Sequence, residues 1–473
     1  MKILLIYPPL IDTVNGPISS EITAMSGFPP LHLLYIASHA KTVPGVEVKI
    51  VDCRLDNLNY EQLEASMRDY LPDVVGISVN SFMLLSALNV SKIVKKINQN
   101  IMVVFGGIHP TIYPRETIKF GSVDVLVLGE GEFVFRNLLQ ALIAQSDITS
   151  IPGIVTKKTV NPEEIEPQVI EDLDSLNIPA WELVDITKYV REKKPVLWLY
   201  TSRGCVGQCS FCYIHKKSRR FRAHSANYIY NNLTFLLEKY KLKEFYIADD
   251  CFTVNKTRVI EFCELIIKNK LKVRWGAVSR ADTLSEDILE IISKAGCLNL
   301  FLGIETGDEN IQKTIRKNLD LNKTKDIVRL ANKYGLNPHA YFMIGHPQET
   351  EKEILNTIKY MCSLKLSGIA GGVAIFQPYP NTSSYIEGLR TGIIKNDYWR
   401  EFATNPTEEF KFRYWNEKFS NEELLYWQKR VNSKFYLRPI IFIRTFIEAI
   451  RTRRLFSKIY SFLIFMKVTF KSK

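Results

Sequence analysis

The chain has 473 residues, 46% of them hydrophobic and 24% charged, with a formal net charge of +12. That length allows two or three domains with ample core, and the apolar share excludes a disordered or fibrous chain. The eight cysteines suggest no disulfide framework, which points to a reducing cytoplasm. The opening run Met1–Tyr7 is too short for a signal peptide, is cut by Pro8 and Pro9, and reads as a first buried strand.

Short β-branched runs then alternate with helical patterns: Lys2–Tyr7, Val46–Asp52, Asp73–Val79, Ile101–Phe105 and Val123–Leu128. Five such strands predict an α/β fold with an open, doubly wound parallel sheet of Rossmann or flavodoxin type over residues 1–144. Ligands of such sheets bind at the carboxyl ends of the strands. Those ends carry Ser78, then Gly106, Gly107, His109 and Thr111, then Gly129, Glu130, Gly131 and Glu132. Glycine lets a large or phosphate-bearing ligand approach the backbone there, although a single Gly pair is equally a tight turn.

Residues 145–194 are richer in charge and punctuated by Pro152, Pro162, Pro167 and Pro179, and read as a linker. Beyond it stands the run Thr201–Tyr213, which holds Cys205, Cys209 and Cys212 in a C-x3-C-x2-C spacing. Four thiolates ordinarily hold a [4Fe-4S] centre, so three from one loop leave an iron open to a ligand that is not protein. With His215 the same cysteines also form a Cys3His zinc set. Zinc knuckles, however, usually staple small domains lacking a core, and about two hundred residues of regular pattern follow this loop.

That later pattern has strands at Pro195–Tyr200, Glu244–Ala248, Lys272–Val278, Leu298–Gly303, Pro338–Ile344 and Gly371–Phe376. Helices are expected at Ser225–Tyr240, Lys256–Asn269, Ser285–Lys294, Leu321–Tyr334 and Thr350–Leu364. Six strands with intervening helices predict a partial (β/α)6 barrel over residues 195–385, whose chemistry sits at the C-terminal strand ends. The cysteine loop, Asp249 with Asp250, Ser279 with Arg280, Glu305 and His346 follow those ends in turn. Arg280 suits bidentate recognition of a carboxylate. Each acidic residue is equally suited to capping a helix.

The cysteine loop, with Phe211 before its last cysteine, resembles the radical S-adenosylmethionine (SAM) superfamily. That resemblance implies that Cys205, Cys209 and Cys212 hold the cluster and that its open iron chelates the amino and carboxylate groups of SAM. It further implies that Phe211, Tyr213, Asp249, Asp250, Arg280 and Glu305 line the SAM pocket. The N-terminal stretches Phe28–Leu31, Gly76–Ser78, Gly106–Thr111 and Gly129–Glu132 resemble the cobalamin-binding domain that precedes many such barrels. Ser78, Gly106, Gly107, His109, Gly129, Glu130 and Gly131 are then the implied cobalamin contacts. The Asp-x-His-x-x-Gly loop that gives some cobalamin proteins a cobalt-binding histidine is missing, with Asp12–Gly16 in its place, so no histidine below cobalt is expected. His109 is a substitute by position, although a histidine beside a Gly-Gly turn is more often a hydrogen-bonding loop residue, and the same holds for His32 and His39 on a predicted helix.

Together these likenesses imply cobalamin-dependent radical methylation of an unactivated carbon, on a small-molecule, lipid or peptide substrate. An external donor such as flavodoxin or ferredoxin would supply the electron. Cyclisation or oxidation without methyl transfer is the nearest rival. A cobalamin sensor or a simple electron carrier is the alternative of another class, though neither needs an open iron. A methylthiotransferase would carry three more cluster cysteines, and the N-terminal domain has only Cys53.

Residues 386–473 read as a basic helical extension. From Val431 onward ten Lys and Arg face one acid, Glu448, so nine of the twelve net charges lie there. Neither apolar run in this tail reaches the roughly twenty residues that span a bilayer. The tail fits either contact with an anionic membrane surface, peripheral to the inner face, or a helix pair packed on the barrel. No nucleic-acid-binding module is present, and none is expected as a partner.

Overall fold

The computed structural model describes residues 1–10, 28–191, 194–195, 197–213, 220–415, 417–441, 443 and 450. Asp12–Gly16, His215 and nearly all of the basic tail beyond 443 lie outside these residues. The chain divides into two compact units. Unit 1 comprises Met1–Trp198, His215–His224 and Lys395–Phe412, and unit 2 comprises Leu199–Ile214, Ser225–Ile394 and Arg413–Lys473.

Unit 1 is built on strands β1 (Lys2–Tyr7), β2 (Glu47–Asp52), β3 (Val74–Ser78), β4 (Met102–Gly106), β5 (Val125–Val127) and β6 (Ile154–Thr156). Their order is β2-β1-β3-β4-β5-β6. The first five run parallel. This is the flavodoxin-like winding, whose ligand crevice opens where the order reverses beside β1. Ile3 to Ile6, Val74, Val75, Val103 to Phe105 and Val125 to Val127 are all buried, as expected for strands covered on both faces. Helices α1 (Leu31–Ala40), α2 (Tyr60–Tyr70), α3 (Leu84–Ile97) and α4 (Glu132–Ile143) supply the cover. The capping box of Asn59 with Gln62 starts α2.

Three segments extend this unit beyond residue 144: residues 145–198, His215–His224 and Lys395–Phe412. In the proline-rich stretch β6 pairs antiparallel with β5, Leu126 opposite Val155, and so adds a sixth strand to the sheet. Residues 395–412 bring an aromatic cluster in which the Phe402 and Phe410 ring centroids lie 4.2 Å apart and Trp399 meets Phe82 at 5.9 Å. Arg400 adds an ion pair to buried Glu116 at 3.0 Å.

Unit 2 contains a second six-stranded sheet: β7 (Leu197–Leu199), β8 (Glu244–Ile247), β9 (Arg274–Ser279), β10 (Cys297–Glu305), β11 (Asn337–Ile344) and β12 (Gly368–Ile375). The strands lie in simple sequence order, from β7 at one edge to β12 at the other, the winding of a partial barrel. Helices α5 (Ala226–Tyr240), α6 (Lys256–Lys268), α7 (Glu286–Lys294), α8 (Leu321–Lys333) and α9 (Glu351–Ser363) alternate with them. Each begins within a residue of the position read from the sequence, because Ser225, Asn255, Asp320 and Thr350 stand at the N-caps of α5, α6, α8 and α9 and bond the first backbone N–H groups.

The free edge at β12 is covered by α10 (Asn421–Tyr436). Gln428 donates to the Val373 carbonyl at 2.8 Å, Asn432 accepts the Val373 N–H at 3.0 Å, and the Tyr436 hydroxyl donates to the Ile369 carbonyl at 2.8 Å. Side chains thus satisfy edge groups that a neighbouring strand would otherwise pair. No helix among the described residues is long and apolar enough to cross a membrane.

Candidate functional site

Directly after β7 the backbone enters the cysteine loop, and Asp249 fixes that entry. Its carboxylate accepts the Thr201 N–H at 2.6 Å and the hydroxyls of Thr201 and Ser202. Arg258, reaching in from α6, donates to the Thr201 carbonyl at 2.6 Å and stands 3.8 Å from the Asp249 carboxylate. Burial raises the Asp249 pKa while Arg258 and the donors of Thr201 and Ser202 oppose it. Asp250 accepts the Gly204 N–H at 3.1 Å, and burial raises its pKa as well. Both carboxylates foreseen beside SAM are thus engaged with the base of the cysteine loop.

Within the loop the three cysteines differ. Cys209 is buried, whereas Cys205 and Cys212 are half-buried. The Gly207 N–H points to the Cys205 sulfur at 3.4 Å, and Arg280 Nη1 lies 3.7 Å from the Cys209 sulfur. A Cβ on Gly207 would come within 2.8 Å of that guanidinium and 3.6 Å of the Cys205 sulfur, so any larger residue would have to displace Arg280. A hydrogen bond from Cys251 is the largest influence on Cys205 and, with the Gly207 N–H and Arg280, lowers its pKa to about 6 against the effect of burial. The Cys205 contact in turn raises the Cys251 pKa.

Arg280 is held in place by a bidentate pair with Asp282, at 2.9 and 2.7 Å, and by the Lys317 carbonyl at 3.0 Å. Burial opposes its charge, but Asp282 and the thiolates raise its pKa overall. Glu305 sits at a register shift in β10 with φ of +70°, and its carboxylate pairs with buried Lys317 at 2.9 Å. Phe211 and Tyr213 are half-buried, the Tyr213 ring 6.3 Å from that of Tyr379. At the end of β9 the buried hydroxyl of Ser279 has no protein partner among the described residues.

No three His, Cys, Asp or Glu side chains among the described residues gather at one ion position, and His215 lies outside them. A single zinc needs such convergence, at about 2.3 Å from each sulfur. A cubane does not, because each thiolate binds its own iron. N–H and guanidinium donors on the sulfurs suit ionised thiolates, so the donor set fits an iron-sulfur centre with one iron unclaimed. The orphaned Ser279 hydroxyl beside Arg280 fits a polar ligand at the same strand ends.

In unit 1 the predicted residues also occupy the carboxyl edge of the sheet. Ser78 and Gly106 end β3 and β4 side by side. Gly107 has φ of +104°, and a Cβ there would lie 2.8 Å from the Val79 carbonyl. A Cβ on Gly129 would collide with the Gln168 backbone, and Gly131 caps α4. His109 is wholly buried, with Nδ1 3.0 Å from the Ser81 hydroxyl and no partner at Nε2 among the described residues. Burial lowers its pKa to about 3, so the ring is neutral. Gly107 and Gly129 thus admit the chain's own backbone at this edge, and the orphaned imidazole nitrogen of His109 is the group that fits a further ligand such as cobalamin. Glu130 is the exception, being engaged with Arg222 at 2.7 and 2.9 Å and accepting the Ile170 N–H.

Several residues that shape these sites were not foreseen: Arg258, Lys317, Cys251, Gly207 and Arg222. Only Arg258 left a trace in the sequence. It lies four residues before Phe262 and next to Val259, so it breaks the apolar stripe of α6 with a charge that has to find a buried partner.

Two family models match the chain, a B12 binding domain over residues 22–139 and the radical SAM superfamily over 199–361. An uncharacterized methyltransferase of Pyrococcus horikoshii is 31% identical over 452 residues, covering 95% of each chain. The hopanoid C-3 methylase of Methylococcus capsulatus is 24% identical across 84% of this chain and 76% of its own. The anaerobic magnesium-protoporphyrin IX monomethyl ester cyclase of Rubrivivax gelatinosus is 29% identical across 76% of this chain and 65% of its own. Among solved structures, the radical SAM methyltransferase TsrM of Kitasatospora setae, with cobalamin and a [4Fe-4S] cluster bound, superposes with a TM-score of 0.69 at 16% identity, over 83% of this chain and 75% of its own. The cobalamin-dependent SAM radical enzyme OxsB, with aqua-cobalamin and SAM bound, gives 0.72 at 18%, over 97% and 72%. With the open three-cysteine loop and the glycine-edged sheet, these matches identify the chain as a radical SAM enzyme with an N-terminal cobalamin-binding domain, a member of the cobalamin-dependent methyltransferase family.

Proposed function

We propose that the protein methylates an unactivated carbon of a small-molecule substrate, with the cluster in unit 2 and cobalamin at the sheet edge of unit 1. The observation that carries this reading is the pairing of a three-thiol loop, electrostatically prepared by Arg280 and Gly207, with a sheet edge stripped to backbone at Gly106, Gly107 and Gly129. When bound, the cluster, SAM and cobalamin supply reductive SAM cleavage and a methyl carrier, chemistry that belongs to the cofactors.

The chain's own residues bind and orient. Cys205, Cys209 and Cys212 would hold the cluster, and Arg280 offsets the negative charge of the thiolates. Asp249 and Arg258 keep the loop at the mouth of the barrel, and Asp250 fixes its Gly204 turn. Ser279 and Tyr213 line the SAM side, and the Glu305–Lys317 pair puts balanced charge behind it. In unit 1, Ser78, Gly106, Gly107, Gly129 and Gly131 would cradle cobalamin, and neutral His109 offers Nε2 to it. Glu130 serves that site through Arg222, by fixing the backbone at Ile170.

A reduced flavodoxin or ferredoxin is the donor class that suits a low-potential cluster. The basic C-terminal segment supports peripheral contact with anionic lipid, which would bring lipid substrates within reach. Cyclisation is the second reading, favoured by the likeness to the magnesium-protoporphyrin ester cyclases. Anaerobic incubation of the reconstituted protein with SAM, reductant, cobalamin and candidate substrates decides between them. Methylation gives S-adenosylhomocysteine together with 5'-deoxyadenosine, and cyclisation gives 5'-deoxyadenosine alone.

A further inference from the structure

Buried polar side chains gather at the carboxyl ends of β11 and β12. Ile344 pairs with Ile375, so His346 and Gln377 follow adjacent strand ends. His346 is 2% exposed, Gln377 7% and Glu349 0%. Neither ring nitrogen of His346, nor Oε1 of Glu349 or of Gln377, has a hydrogen-bond partner among the described residues. The other Glu349 oxygen accepts the N–H groups of Gly345 and His346, which pins the carboxyl and leaves Oε1 unspent.

The returning C-terminal segment shields this end from water. Phe376 packs 5.5 Å from the His346 ring, Trp415 packs 6.0 Å from Phe376, and Leu424 fills the space over Gly345. Burial lowers the His346 pKa to about 3, the Met343 carbonyl opposing it, although that carbonyl is not at hydrogen-bonding geometry. Burial likewise pushes Glu349 up to about 8, with acidic Glu353 and Asp308 adding to the shift and the two N–H groups opposing it. At neutral pH the cluster is an imidazole, a carboxyl and an amide, all uncharged. Native proteins rarely leave several such groups unsatisfied together unless a ligand or water completes them.

We propose that His346, Glu349 and Gln377 form a polar subsite for the methyl-accepting substrate, taking an amide or heteroaromatic nitrogen group rather than a carboxylate or phosphate. The inference rests on the reading of unit 2 as a catalytic barrel, whose substrates bind at this strand-end face. An anionic group would meet no cation in the cluster and would pay its full desolvation cost.

The test uses the full-length, anaerobically reconstituted protein with SAM present. Nicotinamide and nicotinate are size-matched probes, one a neutral amide and the other a carboxylate, and their binding is read by saturation-transfer NMR. Nicotinamide should bind about tenfold more tightly than nicotinate, and His346→Leu and Gln377→Leu should each weaken it by about tenfold. Without any probe, each variant should melt about 2–4 °C higher than the parent, because an unsatisfied buried group has been removed.

Equal binding of the two probes, or nicotinamide binding that survives both substitutions, overturns the proposal. So does probe binding too weak to detect in the unsubstituted protein, the result expected if only a buried water completes the cluster. The probe comparison on the unsubstituted protein stands even where a variant fails to fold. Equilibrium dialysis of SAM separates the remaining case: an equal fall in SAM affinity in the variants would assign the subsite to the adenine of SAM and overturn its assignment to substrate. Failure of the unsubstituted protein to bind SAM would strike the barrel reading itself, a separate failure.

Discussion

The sheet edge of unit 1 and the strand-end mouth of unit 2 prepare for their ligands in opposite ways. Unit 1 relies on bare backbone, with glycines at 107 and 129 where a Cβ would strike the chain's own backbone at Val79 and Gln168, and at 106 where it would only touch Val127. Unit 2 instead concentrates charge, and nearly all of it is already paired: Asp249 with Arg258, Arg280 with Asp282, Glu305 with Lys317. Glycines at strand ends can be picked out directly from the sequence. Buried charges often work one step away, by positioning the group that makes the contact.

Serine at Cys205, Cys209 or Cys212 is the strongest test of that contrast. Each should lose cluster iron and lower 5'-deoxyadenosine formation at least ~10³-fold, leaving cobalamin binding to unit 1 intact. Asp249→Asn comes next. It leaves Arg258 buried without its counter-charge and should cost about 3–5 kcal/mol in denaturant unfolding. Asp250→Asn keeps an oxygen for the Gly204 N–H and should cost under about 1 kcal/mol; equal losses would mean that the two aspartates share one role.

In unit 1, Arg222→Met unpairs Glu130 from a partner only 3% exposed. A cost of about 2–3 kcal/mol and reduced cobalamin retention are expected, with iron content unchanged. Gly207→Ala crowds Arg280 and should cost about 1–2 kcal/mol, seen as faster loss of iron on gel filtration.

A pH dependence tests unit 2 from another side. Glu349 titrates near 8 when folded, against the ordinary 4.5, so between those values the folded form keeps a proton that the unfolded chain has released. Its contribution therefore favours the fold below about pH 4.5, declines as pH rises and levels off above about 8. Melting temperatures across that range should lose this slope in Glu349→Gln.

Much of the fold was legible in the sequence because its signals are local. Continuous Val and Ile runs marked the buried strands, and polar N-cap residues marked the helix starts of unit 2 to within a residue. β6 escaped notice because three residues between prolines carry too little periodicity, although pairing with β5 is enough to order them. The aromatic segment 395–412 looked like part of the C-terminal extension because nothing local ties it to Phe82, more than three hundred residues earlier. At the site, the cysteine spacing and the glycines announce themselves. Lys317 acts only through partners brought close by the fold, which no spacing rule reveals, and the break that Arg258 makes in the stripe of α6 marks a buried charge without naming its partner.

The way α10 meets β12 governs how this enzyme can be cut. Two amides and a phenol seal the barrel's last seam, so a minimal catalytic fragment cannot stop near residue 385, where the strand pattern ends. It has to run through Tyr436. A shorter piece would present the bare ribbon around Gly371 and Gly372 to other chains, and self-association would be its first symptom.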